Sequence, residues 1–152
     1  MKKYMIFDLD GCIADDRARL PLIDHEQPDP WATYHAWCFR DPLINEHWAA
    51  IGWHLAIPII FTARPEAVRK KTQGWLRDVA GLHTELLFMR PDDDRAPSLQ
   101  LKERFLRDLK QAFSPASLDI VMALDDRREI LDMYEGYGIR TAQTFYPEEV
   151  SA

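Results

Sequence analysis

Five short apolar runs alternate with amphipathic helical patterns along this chain, and that alternation restricts the fold more than any other feature. The runs are Tyr4–Phe7, Ile57–Phe61, Glu85–Met89, Asp119–Leu124 and a weaker Ile139–Ala142. Each is the length of a buried strand and is bounded by polar or turn-forming residues. Helical patterns fill Asn45–His54, Glu66–Val79, Leu99–Ala112 and Arg127–Tyr137. Strands separated by helices pair in parallel, because a parallel neighbour is reached only by a long crossover, and helices then cover both faces of the sheet. Right-handed crossovers with one reversal at the first strand predict a doubly wound α/β fold with strand order 5-4-1-2-3.

The 152 residues show no internal repeat and no low-complexity linker, and they predict one domain, 1–152, with a small flap or insertion around 15–44. That segment holds Pro21, Pro28, Pro30 and Pro42 and the aromatics Trp31, Tyr34, Trp37 and Phe39. The helical spacing of 31, 34 and 37 predicts that these rings belong to the core rather than to a base-stacking platform.

An apolar content of 47% supports a folded globule. No apolar run approaches the ~20 residues that span a bilayer. The start, Met1-Lys2-Lys3, lacks a small-residue cleavage site, and Cys12 and Cys38 have no CxxC spacing. These features predict a cytoplasmic protein without zinc and without a membrane partner. The net charge of −6 excludes a protein that coats nucleic acid. The charge is uneven, however. Residues 64–110 hold 11 Lys and Arg against 8 Asp and Glu, while the remainder is acidic. A basic centre of this kind suits a small anion or a single nucleic-acid end, and it also suits a pair of solvated helices.

The strand ends carry the chemistry. The first run leads into Asp8-Leu9-Asp10-Gly11, the second into Thr62-Ala63-Arg64, and the fourth into Asp125-Asp126-Arg127. In a parallel sheet these three ends share one edge, where open α/β sheets bind ligands. Asp8 and Asp10 alternate to the same side of their strand, so one can act as nucleophile and the other as general acid and base. Asp8 with Asp125 or Asp126 can converge on a hard cation, for which Mg²⁺ is suited. Thr62 can donate to a phosphoryl oxygen, Arg64 can grip one in bidentate fashion, and Lys102 can bring an ammonium toward the same charge. Taken singly, each has a plainer reading. Asp-Asp-Arg can open a helix at its positive end, Thr62 can be a turn residue, and Lys102 can lie on a helix surface.

Together and in this order, the segments resemble the haloacid dehalogenase superfamily of phosphohydrolases. The motifs are Phe7-Asp8-Leu9-Asp10-Gly11-Cys12-Ile13-Ala14-Asp15, Ile60-Phe61-Thr62-Ala63-Arg64, Lys102, and Leu124-Asp125-Asp126-Arg127. Within that superfamily the chain looks most like the 3′-phosphatase domain of bacteriophage polynucleotide kinase. Arg19, Gly74–Gly81, Met89-Arg90, Arg95, Met133-Tyr134 and Gly138-Ile139 match segments of that domain. A GxxxxGK[ST] phosphate loop is absent from the sequence, so the resemblance implies a phosphatase module without a kinase half. Cys12 stands where the family usually has Thr, Ala63 where it has Gly, and Ser98 where the related domain has an acidic residue. Arg95 lies one position further from Lys102 than its counterpart.

The resemblance implies a minimal cap and a Mg²⁺-dependent phosphatase. Asp8 would form an aspartyl-phosphate and Asp10 would shuttle the proton. The metal would be held by Asp8, the Asp10 carbonyl, and Asp125 or Asp126. Thr62 and Lys102 would hold the phosphoryl oxygens, and Arg19, Ala63, Arg64, Arg90 and Arg95 would contact substrate. The implied substrate is a phosphorylated nucleic-acid 3′ end. A nucleotidase or small-ester phosphatase on the same scaffold, and a non-catalytic partner-binding module, are the alternatives.

Overall fold

A computed structural model describes residues 1–148. Its centre is a five-stranded sheet: β1 (Lys3–Phe7), β2 (Ile57–Pro65), β3 (Leu87–Arg90), β4 (Asp119–Asp125) and β5 (Thr141–Gln143). All neighbours pair in parallel, in the order β3-β2-β1-β4-β5, which is the expected arrangement read from the other edge. Five helices accompany it: α1 (Ala32–Ala36), α2 (Glu46–Leu55), α3 (Arg69–Trp75), α4 (Ser98–Ala112) and α5 (Arg128–Gly136).

Strand alternation divides the core in two. Met5 and Phe7 of β1 point to a cluster with Ala49 of α2 and Trp75 of α3. Tyr4 and Ile6 point the other way, to Leu101, Phe105 and Leu109 of α4 and Ile130, Leu131 and Tyr134 of α5. The sheet is therefore covered on both faces, and β1, paired on both sides, is buried from Tyr4 to Phe7.

Three local features differ from the sequence expectation. The stretch read as one helix over Glu66–Val79 is a 3-10 turn (Glu66–Val68), then α3, then a π turn (Leu76–Ala80) that Gly81 ends at φ +68°. A left-handed residue is the usual way to stop a helix, and Gly adopts it without a Cβ clash. Strand β2 runs four residues beyond the apolar stretch, to Pro65. In the flap segment, Tyr34 alone of the three helically spaced rings is buried, at 4% exposure. Trp31 and Trp37 are 44% and 40% exposed, because α1 is too short to bury more than one face.

Among the described residues, no helix is long and apolar enough to cross a membrane.

Candidate active site

The site begins where β1 stops. The Asp8 amide donates to the Leu124 carbonyl (3.1 Å), which carries the sheet pairing one residue past the strand. The chain then turns tightly, with the amides of Cys12, Ile13 and Ala14 all donating to the Leu9 carbonyl at 2.9–3.0 Å. Gly11 makes this turn possible at φ +80°. A Cβ there would lie 2.7 Å from Asp126 Oδ2, so the position needs glycine for space as well as for conformation.

Beside the turn, the end of β4 presents Asp125 and Asp126. Asp125 is fully buried, and its Oδ1 accepts the Arg127 amide (3.0 Å). Lys102 reaches in from α4. It lies within the buried stripe of that helix with Leu101, Phe105, Leu106 and Leu109. Its ammonium donates to Asp8 Oδ1 (2.8 Å) and to Asp125 Oδ2 (2.6 Å). A lysine in an apolar helical stripe is a sequence signal in itself, since burial there requires a partner of opposite charge.

Asp8, Asp125 and Asp126 each offer an oxygen within 4.8 Å of the others. Burial pushes the Asp8 carboxyl well above its usual range; Lys102 opposes this, and the neighbouring carboxylates add to it. Burial, reinforced by Asp125, raises Asp126 to about 6. Burial would likewise discharge Lys102, but Asp125 and Asp8 outweigh it and hold the ammonium well above its ordinary value. One ammonium among three crowded carboxylates leaves the cluster short of positive charge. An all-oxygen donor set of this kind fits a hard divalent cation such as Mg²⁺.

Asp10 belongs to a second cluster. Arg64 grips it through Nη2 (2.7 Å) and Nε (3.1 and 3.2 Å), and Arg19 Nη2 donates to the same Oδ1 at 2.6 Å. Behind them Asp41 accepts from Arg19 through both oxygens (2.7 and 2.6 Å) and from Arg64 at 3.3 Å. Two guanidinium groups thus face two carboxylates in a nearly dry setting. The side chains of Arg64, Arg19 and Asp41 are 0%, 4% and 3% exposed. Burial alone would raise the Asp10 carboxyl, yet Arg64 and Arg19 together bring it down to about 2.

The remaining residues named from sequence lie around these clusters. Thr62 is buried, and its Oγ1 accepts the Arg64 amide (3.2 Å). Ala63 borders the cavity above Asp8 and offers its carbonyl to Arg90 Nε (3.3 Å). Arg90 also donates to the carbonyls of Asp94 (3.3 Å) and Ala96 (2.6 Å). Arg95 is exposed on the same wall and donates to the Asp92 carbonyl (3.2 Å). The structure therefore brings Asp8, Lys102, Asp125 and Asp126 into one cluster and turns Arg19 and Arg64 inward onto Asp10. Arg90 and Arg95 join neither cluster and line the same cavity as Asp8.

Sequence reasoning missed Asp41, which neutralises both arginines, and the tie formed by Asp16. The hydroxyls of Tyr34 (2.6 Å) and Tyr146 (2.5 Å) both donate to the Asp16 carboxylate, linking flap, first loop and C-terminal segment. Asp41 carries no periodic or motif signal. It is a lone acid before Pro42.

The fold, with Asp8, Lys102, Asp125 and Asp126 gathered at the C-terminal edge of a doubly wound sheet, is that of the haloacid dehalogenase class. The model of the polynucleotide kinase PNKP phosphatase domain matches residues 2–148, and the chain belongs to that family. That family is one of phosphatase domains. No curated protein sequence matches it.

Among solved structures, a chain of the Pnkp1/Rnl/Hen1 RNA repair complex is similar, with TM-score 0.71 and 22% identity. That likeness covers 97% of this chain and 44% of the other, so this chain spans less than half the length of that relative. A haloacid dehalogenase-like hydrolase from Streptococcus pneumoniae (TM-score 0.56, 12% identity, 93% and 84% covered) shares the fold. So does CbbY from Rhodobacter sphaeroides, solved with phosphate (TM-score 0.53, 18% identity, 100% and 92% covered).

Proposed function

We propose that this chain is a Mg²⁺-dependent phosphatase that removes the 3′-phosphate from a polynucleotide end through an aspartyl-phosphate. The observation that carries this reading is the convergence of Asp8, Lys102 and Asp125 within hydrogen-bond distance, beside a cavity of about 590 Å³. Asp8 is the group at its floor positioned to attack. The family match and the RNA-repair context of one similar structure support a nucleic-acid substrate.

In the first step a carboxylate oxygen of Asp8 bonds to phosphorus and the bond from phosphorus to the sugar oxygen breaks, with a proton passing to the departing alkoxide from Asp10, which Arg64 and Arg19 keep ionised in the free site and which takes up its proton in the substrate complex, where the negative charge of the ester opposes them. In the second, water attacks the phosphorus and gives a proton back to Asp10. The phosphorus–Asp8 bond breaks, inorganic phosphate leaves and the Asp8 carboxylate is restored. Lys102 holds Asp8 in place and faces the oxygens that gather charge. Thr62, its Oγ1 already accepting one amide, has its hydroxyl proton left to give to a phosphoryl oxygen. Arg19 and Arg64 fix the direction of Asp10. A Mg²⁺ held by Asp8, the Asp10 carbonyl, and Asp125 or Asp126 would offset repulsion between the anionic nucleophile and the anionic ester.

A nucleotidase is the second reading, and one observation favours it. Arg90 directs Nε and Nη1 to three main-chain carbonyls, which weakens the case for a long phosphate-binding track on that wall. The test is a comparison of kcat/KM with Mg²⁺ for a 3′-phosphorylated oligonucleotide and for nucleoside 3′-monophosphates. A preference for the oligonucleotide that shrinks with salt is the expected result, since phosphate contacts release counterions. Equal values at low salt would favour the nucleotidase.

A further inference from the structure

Trp31 is the least explained large side chain at the site. It is 44% exposed, yet it lines the same cavity as Asp8 and Lys102. An indole is a costly group to leave in water, since its large apolar surface gains most from burial. Nor is the ring loosely held. Its backbone amide donates to Asp29 Oδ1 (3.1 Å), and it meets Tyr34 edge to face at 5.3 Å and 86°. Tyr34 is itself fixed by its hydrogen bond to Asp16 and by the Arg19 guanidinium, 4.2 Å from its ring centre.

The surroundings select the chemistry of what would cover it. Pro28 and Pro30 line the cavity beside Trp31, and Asp29 lies between them. That wall carries apolar surface and a negative charge, so it repels phosphate. The exposed Arg95 lines the same cavity and attracts it. A ligand with its phosphoryl group at Asp8 therefore finds both an apolar, flat surface and a guanidinium along that cavity. A nucleotide matches this division, with its base toward the indole and any further phosphate toward Arg95. Stacking on an aromatic side chain is open to every base, because each has a π face.

We infer that Trp31 is a stacking platform for the base of the nucleotide that bears the scissile phosphate, so that the site selects nucleotides over base-free phosphate esters. This rests on the phosphatase reading above and adds to it a requirement for a base.

The test is kcat/KM for two oligonucleotides, one with an ordinary 3′-phosphorylated terminal nucleotide and one with an abasic 3′-phosphorylated terminus. Four proteins are compared: wild type, Trp31→Ala, Trp31→Phe and, as a control outside the cavity, Trp37→Ala. Removing the base should cost the wild type about tenfold, within the range measured for base–aromatic stacking. Trp31→Ala should lose a similar factor on the ordinary substrate and little on the abasic one. Trp31→Phe should recover most of the loss, and Trp37→Ala should follow the wild type. Equal losses on both substrates would make Trp31 a structural residue and overturn the inference, as would no loss on either. If no oligonucleotide is hydrolysed, the same proteins are compared on a nucleoside 3′-monophosphate and ribose 3-phosphate. Base dependence there keeps the stacking role and removes the polynucleotide substrate; its absence overturns the stacking role.

Discussion

Asp41→Asn tests the buried charge cluster most directly. The carboxylate accepts three hydrogen bonds from Arg19 and Arg64 and its side chain is 3% exposed. The substitution keeps the shape but removes the charge and points an amide donor at guanidinium donors. Two buried cations are then left with Asp10 as their remaining carboxylate partner in the cluster. Removing one partner of a buried ion pair costs about 3–5 kcal/mol, and because Asp10 still compensates part of the charge, we expect about 3. For a chain of this length each kcal/mol moves Tm by about 2–4 °C, so the midpoint should fall by about 6–12 °C. Circular dichroism melts at neutral pH measure it. Asp78→Asn is the control: its pair with Arg77 is exposed on both sides, and its melt should match the wild type. A loss of less than ~2 °C for Asp41→Asn would refute the claim that Asp41 neutralises this cluster.

Three further outcomes follow from the same geometry. Asp8→Asn should fold normally and lower kcat by at least ~10³, about 4 kcal/mol of barrier, in a phosphatase assay; near-wild-type turnover would exclude Asp8 as nucleophile. EDTA should abolish activity and Mg²⁺ restore it, with Ca²⁺ a poor substitute because its bonds are longer and its geometry looser; full activity in chelator would remove the metal from the mechanism. Gly11→Ala should destabilise the protein by ~1–2 kcal/mol through its left-handed backbone. By pressing on Asp126 it should also raise the Mg²⁺ concentration needed for half-maximal activity, which a metal titration reads directly.

Much of this molecule was legible in its sequence, and each part that was not has its own physical reason. The strand order followed from the spacing of apolar runs, because crossover handedness leaves few choices once the strands are placed. The site edge followed from polar residues that end those runs, and the residues Asp8, Lys102, Asp125 and Asp126 do come together. Arg64 and Arg19 could be named but not oriented, since nothing local says whether a guanidinium points to solvent or into the protein. Their inward turn is set by Asp41, which lies in the irregular flap segment. There the chain lacks a long periodic pattern, and the helical spacing of 31, 34 and 37 placed Trp31 and Trp37 in the core although α1 has only five residues and buries Tyr34 alone. The break of the helix after Trp75 into a π turn went unread because the hydrophobic pattern continues through Leu76.

The order in which the chain supplies its charges has a consequence for synthesis. Lys102 follows Asp8 by 94 residues, and Asp125 follows Lys102 by 23. A ribosome therefore releases the reactive strand early and its counter-charges late. Until β4 docks, β1 lacks one of its two neighbours, and Asp8 lacks the companion carboxylates of Asp125 and Asp126 that stand beside it in the finished protein. Domains generally fold as units as the chain emerges, and the long-range pairings are the slow ones. A growing or clipped chain that ends before β4 would carry Asp8 and Lys102 without Asp125 and Asp126. The full carboxylate cluster arrives only with the fourth strand, which makes the docking of β4 a check on translation as well as on folding.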